Sequence, residues 1–437
     1  MHLRLIALGF LSVLLACSRV GDSLPALGLV VGETSVSGLS AGAYMAGQLQ
    51  VAHSKQIVGA GIVAGGPFGC AANQVESFLP SIAKNLSQAF EDCLNGHGIP
   101  DATALLERAK ALAKAGAIDP LADLSNDRVY LFSGGKDPIV ARSVVEAAKR
   151  FYIEAGVPQE SVALMTREYA GHSILTTDRG NACGLSEAPF VSDCDYDQAG
   201  AILKWIYGEL NAPAEHPKGK FLFFDQSRYA EGFGNGLSSE GVIYIPEICA
   251  AKGGCRLHIA LHGCEQNRDQ VGMAFIEGSG FAGWADTNNL VILFPQVEAS
   301  MLNPKACWDW WGYTGKNFLT KDALQIAAIW RMVERLASKK TVAFLQEWTD
   351  GLTAPASRLK ASFVPQSQIG ATMFSIQAKQ PLVLLLEAMT TLALNGRHRS
   401  FLYHQDHFVD DTIGYRAPLR LFYCPAYIVK LLLDLSL

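Results

Sequence analysis

The fold is decided by Val36-Ser37-Gly38-Leu39-Ser40-Ala41-Gly42, which contains the pentapeptide Gly-x-Ser-x-Gly. A β-rich run over 30–37 leads into this stretch, and a helical pattern over 43–51 follows it. In this context the serine lies on a tight turn with its hydroxyl exposed. Small flanking residues suit the turn because a Cβ would crowd it. The pattern predicts Ser40 as a catalytic nucleophile; the alternative is a glycine-rich turn without chemistry.

Strand and helix patterns alternate along the chain on both sides of this stretch. This alternation predicts an α/β fold in which a mostly parallel sheet carries helices on both faces. The sequence shows no internal repeat and no low-complexity linker. After Ser338 the alternation stops, and an apolar pattern over 381–394 is the one helix candidate there. The predicted strands are 57–63, 128–132, 162–166, 242–245, 257–261 and 290–294, and the predicted helices are 102–115, 139–155, 198–210 and 321–336.

Two residues have the positions expected of the partners of a catalytic serine. Asp137 lies in the loop after the strand 128–132, where it also fits a helix N-cap before Pro138, and the two roles are compatible. His172 follows the next strand, and the order Ser, Asp, His is the one that α/β-hydrolases use. We therefore predict a triad of Ser40, Asp137 and His172. Other histidines lack this placement, and His404 and His407 with Asp406 are interpreted as solvated residues rather than a metal site.

Acyl transfer also needs donors for a developing oxyanion. The backbone N–H of Ala41, next after the nucleophile, is one candidate, and the N–H of Cys264 in Leu261-His262-Gly263-Cys264 is the second. The alternative for this segment is a plain strand-end turn, which is compatible because the donor is main chain. In an ordinary α/β-hydrolase the oxyanion loop precedes the nucleophile. The reversed order predicts a circularly permuted α/β-hydrolase fold.

The cysteines point to disulfides. Setting aside Cys17 and Cys424, an even number remains, which in an exported chain is typical of a disulfide framework. Sequential pairing is favoured because Cys183 with Cys194 and Cys249 with Cys255 would close short loops, although other pairings stay open. A structural zinc site is not expected, since no Cys-x-x-Cys occurs. The eight candidates are Cys70, Cys93, Cys183, Cys194, Cys249, Cys255, Cys264 and Cys307.

Three tryptophans lie close together in Cys307-Trp308-Asp309-Trp310-Trp311-Gly312-Tyr313. These side chains could pack in the core, as aromatic side chains usually do, or could form an apolar wall for a ligand. In an extended segment Trp308 and Trp310 would face one side and Trp311 the other, so that at least one would fit a core poorly. We therefore predict that these three residues contact the substrate.

The N-terminus and composition indicate export. Residues 1–17 combine Arg4 with a short apolar run, Leu5 to Ala16, as in a signal peptide. Leu14-Leu15-Ala16-Cys17 imperfectly matches a lipoprotein box, so simple secretion is favoured over a lipid anchor at Cys17. A net charge of −5 without a basic cluster argues against a nucleic-acid partner. We expect a secreted or periplasmic protein without a transmembrane span.

Over residues 25–337 the chain resembles bacterial and fungal poly(3-hydroxybutyrate) depolymerases with a circularly permuted catalytic domain. The resemblance implies one α/β-hydrolase domain that cleaves short-chain polyhydroxyalkanoate without a cofactor. It also implies the triad and oxyanion donors named above, a crevice lined by Trp308–Trp311, and, we expect, a monomer. The motifs that carry it are Ser37–Met45, Ala64–Cys70, Gly180–Gly184, Cys255–Cys264 and Asn303–Trp311.

The C-terminal segment 338–437 departs from this pattern. Many secreted depolymerases carry a Thr-rich or fibronectin-like linker and a polymer-binding domain, and this segment shows neither. Soluble oligomers or amorphous polymer are therefore the expected substrates. An acetyl- or feruloyl-type carbohydrate esterase is the main alternative, because fold does not fix substrate. A non-catalytic polyester-binding protein is disfavoured because every residue type of the triad is present.

Overall fold

The computed structural model describes residues 22–72, 78–98 and 101–339, and for 78–83 the backbone alone. The predicted signal peptide with Cys17, the helix candidate over 381–394, the His404–His407 segment and Cys424 lie outside these ranges. Of the C-terminal segment only Ser338 and Lys339 are described. None of the helices in the described ranges has the length and apolar character that a membrane crossing requires.

The core is an eight-stranded sheet, accompanied by a small three-stranded sheet. Most strands predicted from the sequence are present, with bounds shifted by a few residues. The exception at the start is the run over 30–37, where Val31–Glu33 forms a 3-10 turn and the strand begins only at Thr34. In chain order the strands are β1 (Thr34–Leu39), β2 (Ile57–Val63), β3 (Arg128–Gly134), β4 (Val162–Arg167), β5 (Ile174–Thr176), β6 (Asn181–Ala182), β7 (Val191–Asp193), β8 (Lys220–Asp225), β9 (Glu240–Ile245), β10 (Arg256–Leu261) and β11 (Leu290–Phe294).

The helices include the five long segments predicted by apolar periodicity, together with one further long helix and four short ones. The long helix absent from the prediction covers Phe78–Glu91. The helices are α1 (Ala41–Ala52), α2 (Phe78–Glu91), α3 (Ala102–Lys114), α4 (Arg142–Glu154), α5 (Gln198–Tyr207), α6 (Glu247–Lys252), α7 (Arg268–Val271), α8 (Ala274–Gly278), α9 (Phe281–Thr287) and α10 (Leu324–Ala337).

The large sheet has the order β4-β3-β2-β1-β10-β11-β9-β8. The six strands from β4 to β11 are mutually parallel, and β9 is antiparallel to both of its neighbours. Every residue of β1 is buried, as expected for a parallel strand covered on both faces. The sheet is therefore the mostly parallel one predicted, with one antiparallel strand near its edge.

Small residues in β2 allow helices to approach both faces of the sheet. A Cβ on Gly61 would lie 2.8 Å from the Ile202 side chain of α5, and one on Gly59 would lie 2.9 Å from Ile206. On the opposite face Ile62 lies under α1, where its Cδ1 would be 3.8 Å from a Cβ on Gly47. Helices α1 and α5 thus sandwich the central strands.

The permutation is visible at the centre of the sheet, where β1 pairs with β10. Strands β1–β4 extend to one side of this seam and β8–β11 to the other. The start of the described chain also lies beside the end of α10: the N–H groups of Leu27 and Leu29 donate to the Leu336 carbonyl. Adjacent ends are what a permuted domain requires. The fold is a circularly permuted α/β-hydrolase fold.

Four disulfides close loops in the described chain, and they pair the eight candidate cysteines in sequence order. The bridge between Cys264 and Cys307 spans the longest separation, 43 residues. The other three are Cys70–Cys93, Cys183–Cys194 and Cys249–Cys255, with separations of 23, 11 and 6 residues.

Candidate active site

Ser40 lies on a sharp turn between β1 and α1. Its backbone has φ 58° and ψ −121°, a conformation that L-residues adopt at a cost and that is typical of functional sites. Two glycines permit the turn. A Cβ on Gly38 would lie 2.3 Å from the Gly42 carbonyl carbon, and one on Gly42 would lie 2.3 Å from the Leu261 carbonyl oxygen. The pentapeptide glycines are therefore required by close backbone approach, not by flexibility.

His172 and Asp137 form a buried pair. The His172 Nδ1 lies 2.8 Å from Asp137 Oδ2, and the two side chains are only 4% and 1% exposed. The other carboxylate oxygen of Asp137 accepts from the N–H groups of Ile139 and Val140 at 2.8 and 3.0 Å. These bonds cap a turn, while α4 itself begins later, at Arg142. The carboxylate is thus fixed by its own loop and in turn fixes the imidazole.

The segment after β10 lies against Ser40. A Cβ on Gly263 would be 3.5 Å from the Ser40 Cβ and 3.3 Å from the Leu39 carbonyl oxygen. Cys264, the next residue, lines the same pocket as Ser40. Within the described ranges neither the Ala41 nor the Cys264 N–H has a hydrogen-bond partner. Both groups are therefore free to donate to a bound oxygen.

Ser40 and His172 open onto one cavity of about 300 Å³, most of whose surface is apolar. Helix α2, absent from the prediction, supplies Leu86 and Phe90, which are 37% and 54% exposed at the rim. Leu302, 51% exposed, lies on another part of the wall. The sequence of α2 has a strong amphipathic pattern, from which this helix could have been predicted. The cavity suits an apolar ligand that carries few charges.

The tryptophan segment does not follow the predicted alternation. Trp310 and Trp311 line the pocket, whereas Trp308 is fully buried and packs against His262, away from the pocket lining. Trp308 lies outside the lining because the segment is not extended, and its contact with the substrate stays a prediction. The Asp309 carboxylate accepts from the N–H groups of residues 312–314 at 2.6 to 3.0 Å and so bends the chain. Two adjacent tryptophans therefore reach the pocket together.

Stacking fixes the orientation of the two pocket tryptophans. The Trp310 ring stacks on Tyr44 of α1 with centroids 4.1 Å apart, and Trp311 meets Trp310 edge-on at 5.7 Å. Tyr44 donates to the Cys93 carbonyl, whose residue is itself bridged to Cys70. The aromatic wall is thus anchored to the helix that follows Ser40.

Three further histidines are buried and uncharged at neutral pH. Burial lowers the pKa of His258 to about 3 and that of His262 to about 4. Burial also lowers the pKa of His53 to about 4, helped by the nearby Lys321 charge. His258 bridges the Ser35 and Ser37 hydroxyls across the β1–β10 seam at 2.7 and 2.8 Å. Among the described residues no group of three or more His, Cys, Asp or Glu side chains is arranged to hold a metal.

The fold and this pocket are those of a serine hydrolase. Known depolymerases are similar to this chain over most of its described length. A poly(3-hydroxybutyrate) depolymerase from Delftia acidovorans is 41% identical over 322 residues, which cover 72% of this chain and 62% of that protein. A polyhydroxybutyrate depolymerase from Talaromyces funiculosus is 36% identical over 353 residues, 76% of this chain and 98% of that protein. No family model matches the chain.

Solved structures agree. A serine-to-alanine variant of a PHB depolymerase complexed with R3HB trimer superimposes with a TM-score of 0.65 at 35% identity. The PHB depolymerase from Penicillium funiculosum gives the same TM-score at 34% identity. In both cases 73% of this chain and the whole of the other chain are covered. The chain belongs to the poly(3-hydroxybutyrate) depolymerase family.

Proposed function

We propose that this protein is an exported serine esterase that hydrolyses poly(3-hydroxybutyrate) or its oligomers through Ser40, His172 and Asp137. The observation that carries the proposal is the convergence of three elements on one apolar pocket. Ser40 stands on its strained turn, the hydrogen-bonded His172–Asp137 pair faces the same cavity, and Cys264 lies beside them. Family membership supports the polyester as substrate and gives no support to the carbohydrate esterase alternative.

In acylation the Ser40 Oγ attacks the ester carbonyl carbon while the His172 Nε2 accepts the hydroxyl proton. Asp137 accepts from the Nδ1–H, which holds the tautomer that leaves Nε2 free as a base, and it stabilises the imidazolium. The carbonyl oxygen becomes an oxyanion that takes hydrogen bonds from the N–H groups of Ala41 and Cys264. Each such donor lowers the barrier by about 3 kcal/mol.

Collapse of this intermediate breaks the bond to the leaving alcohol, which takes the proton from His172. The acyl group then remains on Ser40 as an ester. Water attacks that ester in the second half of the cycle, with His172 as base, and returns Ser40 with release of the hydroxy acid. Protons pass between Ser40, His172, water and the leaving alcohol, and no step changes an oxidation state.

The walls of the pocket support a polyester chain as the ligand. A 3-hydroxybutyrate unit carries a methyl group and ester oxygens but no charge along the chain, which matches a mostly apolar cavity. We propose that Trp310 and Trp311 contact the units next to the scissile ester. A related depolymerase has been crystallised with an R3HB trimer. Oligomers and amorphous polymer are therefore the substrates we propose for this chain.

We also propose that residues 25–337 are the catalytic domain and act as a monomer outside the cytoplasm. Four disulfides favour an oxidising compartment, secreted or periplasmic. A chain that ends at Lys339 is expected to keep the unfolding temperature and the esterase activity of the full chain. Failure of that shortened chain to fold would show that the later residues belong to the domain.

The central test is Ser40→Ala with Ser125→Ala as control, since Ser125 is an exposed serine before the start of β3, at the opposite end of that strand from Asp137. Release of 3-hydroxybutyrate from amorphous polymer and from trimer is measured by chromatography. We expect no release by the Ser40 variant, full release by the control, and unchanged thermal unfolding in both. Equal release by the two variants would contradict the nucleophile assignment. Hydrolysis of feruloyl esters without hydrolysis of polymer would contradict the substrate.

A further inference from the structure

His262 lies at the end of β10, directly before the segment that carries the second candidate oxyanion donor. Its side chain is completely buried and makes two hydrogen bonds with the main chain. The Nδ1 lies 2.7 Å from the carbonyl oxygen of Gly263, the next residue. The Nε2 lies 3.3 Å from the N–H of Val297. The ring therefore ties the loop after β10 to the loop after β11.

The two partners fix the protonation state of the ring. A carbonyl oxygen only accepts, so Nδ1 must carry a proton, and a backbone N–H only donates, so Nε2 must be unprotonated. Both contacts thus require the same neutral tautomer. Burial lowers the pKa of His262 to about 4, in agreement with a neutral ring. The Nδ1–H of His262 therefore donates to the Gly263 carbonyl at every pH at which the enzyme is folded and this ring is neutral.

This donor controls the direction of the neighbouring N–H. The Gly263 carbonyl and the Cys264 N–H belong to one planar trans peptide, in which the C=O and N–H bonds point in opposite directions. Holding the carbonyl oxygen toward the His262 ring therefore holds the Cys264 N–H away from it. That N–H has no partner in the described part of the chain, and Cys264 lines the pocket beside Ser40.

We propose that His262 is a positioning residue that presets the oxyanion hole, by holding the Gly263–Cys264 peptide with its N–H toward the pocket. The inference rests on the proposed function, because it gives a role to the Cys264 N–H in ester hydrolysis. His262 does not touch the substrate. It acts through the peptide, since rotation of that plane would replace a donor by a carbonyl oxygen next to a developing negative charge.

The opposite side of Gly263 is held independently. Its N–H donates to Gln266 Oε1 at 2.7 Å, and the Gln266 amide donates in turn to the carbonyls of Pro189 and Phe190 at 2.9 and 3.0 Å. Phe190 lies edge-on to the His172 ring with centroids 6.4 Å apart. Gln266 thus fixes the position of Gly263, and His262 fixes the orientation of the peptide between Gly263 and Cys264.

The test uses two amide side chains that each reproduce one half of the imidazole. His262→Asn places an N–H near the position of Nδ1 and keeps a donor for the Gly263 carbonyl, but it loses the Val297 contact. His262→Gln places its amide near Nε2 and keeps an acceptor for Val297, but it loses the donor to Gly263. His262→Phe preserves the packing against Trp308 and loses both bonds. Thermal unfolding of all three is compared with wild type.

Turnover is measured on a soluble 4-nitrophenyl ester, and the rate at which diethyl 4-nitrophenyl phosphate modifies Ser40 gives a second readout. For Gln and Phe we expect kcat and the phosphorylation rate to fall by about 10- to 100-fold, with KM changed less than about threefold, as for a weakened oxyanion donor. For Asn the fall should stay within about fivefold because the donor is kept. Equal losses in Asn and Gln, or a change confined to KM, would overturn the proposal.

A measurement on the unaltered protein covers the case in which the variants fold poorly. Nitrogen-15 spectra of histidine-labelled enzyme report which ring nitrogen carries the proton. The Nδ1–H tautomer at His262 is expected, and an Nε2–H tautomer would overturn the proposal. The two proposals fail differently. If wild type neither turns over esters nor is phosphorylated at Ser40, the proposed function fails. If wild type is active and the Asn and Gln variants lose equal activity, only the role of His262 fails.

Discussion

The two loops that meet at the pocket are held in different ways. The loop of Ser40 is shaped by its backbone, with a positive φ and glycines that no Cβ can replace. The loop of Cys264 is held by the side chains of His262 and Gln266 and by the bridge to Cys307. One loop therefore depends on close approach of main chains, and the other depends on hydrogen bonds, protonation and an oxidised disulfide.

Each half of the site is therefore sensitive to a different kind of change. The loop of Ser40 should be destroyed by one methyl group but should be indifferent to reducing agents. The loop of Cys264 should respond to loss of its disulfide and of its side-chain donors while β1 and α1 remain folded. Four perturbations separate these responses.

The largest effect is expected from Gly42→Ala, which places a Cβ 2.3 Å from the Leu261 carbonyl oxygen. Backbone atoms on the partner strand cannot yield without opening the β1–β10 seam. We expect a loss of more than about 4 kcal/mol in the free energy of unfolding, together with loss of esterase activity. Urea unfolding followed by circular dichroism measures it.

Gly32→Ala is the matched control, because no atom lies within 4 Å of a Cβ at that position. Its unfolding midpoint should stay close to that of wild type. A Gly42 variant as stable as this control would show that the seam relaxes easily, and the contrast between the two loops would disappear.

The second effect comes from replacing Cys264 and Cys307 together by serine. The bridge closes a loop with a separation of 43 residues, whereas Cys249–Cys255 spans only 6. The free energy of unfolding should therefore fall by about 4 kcal/mol for the first pair and about 2 kcal/mol for the second. Esterase activity should fall only for the first pair, since only that bridge contacts the pocket. Equal activity losses would contradict a special role for the Cys264 loop.

The third effect concerns pH and the helix behind Ser40. Gln50 of α1 donates to Asp127 Oδ2 at 2.8 Å, and burial raises the pKa of Asp127 to about 8. Since the folded state binds this proton more tightly than the unfolded state, the stability is complete below about pH 4 and is lost as pH rises to 8. Asp127→Asn cannot ionise, so it should remove this loss.

We expect the free energy of unfolding of Asp127→Asn, relative to that of wild type, to increase by about 2 kcal/mol between pH 5 and pH 8. This is about half of the roughly 4 kcal/mol that the limiting slope of about 1.4 kcal/mol per pH unit would give. Thermal unfolding at several pH values measures the gain. Asp269→Asn, at an exposed aspartate on α7, should show no such trend. A parallel trend in both variants would mean that the carboxyl of Asp127 is not the group responsible.

Acid should act on the other half of the site. The pKa of His262 is lowered to about 4 by burial, so stability from its neutral ring is complete above pH 6.5 and is lost as pH falls toward 4. Acid also acts on the elements around Ser40, because burial lowers the pKa of His53 at the end of α1 to about 4 and that of His258 beside β1 to about 3. Raising the pH acts on α1 through Asp127.

The smallest effect is expected from the ion pair between Lys305 and Glu265, whose atoms lie 3.1 Å apart at the pocket mouth. Their side chains are 62% and 44% exposed, so water screens the attraction. A double-mutant cycle with Lys305→Ala and Glu265→Gln should give a coupling below about 0.5 kcal/mol in unfolding. A coupling several times larger would show that this ion pair also helps to hold the Cys264 loop.

The sequence was sufficient to predict the turn at Ser40, which is shaped by the backbone. Gly38 and Gly42 flank Ser40 in a local pattern, so the turn is visible without knowledge of distant residues. The alternation of strands and helices likewise predicted the central sheet, because parallel strands buried on both faces are continuous apolar runs. The roles of Ser40 and of the oxyanion donors remain predictions that the variants above test. The roles of Asp137 and His172 also remain predictions.

The parts that were missed depend on distant or side-chain contacts. Strand β8 was not predicted, since only its pairing with β9 makes Lys220–Asp225 a strand. Trp308 and Trp310 were expected on one side of an extended segment and Trp311 on the other, and the turn around the Asp309 carboxylate breaks that assumption. Helix α2 has an amphipathic pattern in the sequence, but the position of its Leu86 and Phe90 at the rim depends on distant contacts. Such contacts are set by tertiary packing rather than by local periodicity.

The seam between β1 and β10 has a consequence for the time at which the enzyme becomes active. The hydrogen bond between Ser35 and His258 joins residues 223 positions apart, so the central strands pair across a very long stretch of chain. At synthesis rates of about 5–20 residues per second, β1 is made roughly 10 to 45 seconds before its partner strand β10. Long-range pairing of this kind also folds slowly. A growing chain therefore contains Ser40 early but no esterase, and hydrolysis begins only after the later half of the domain has been made and folded.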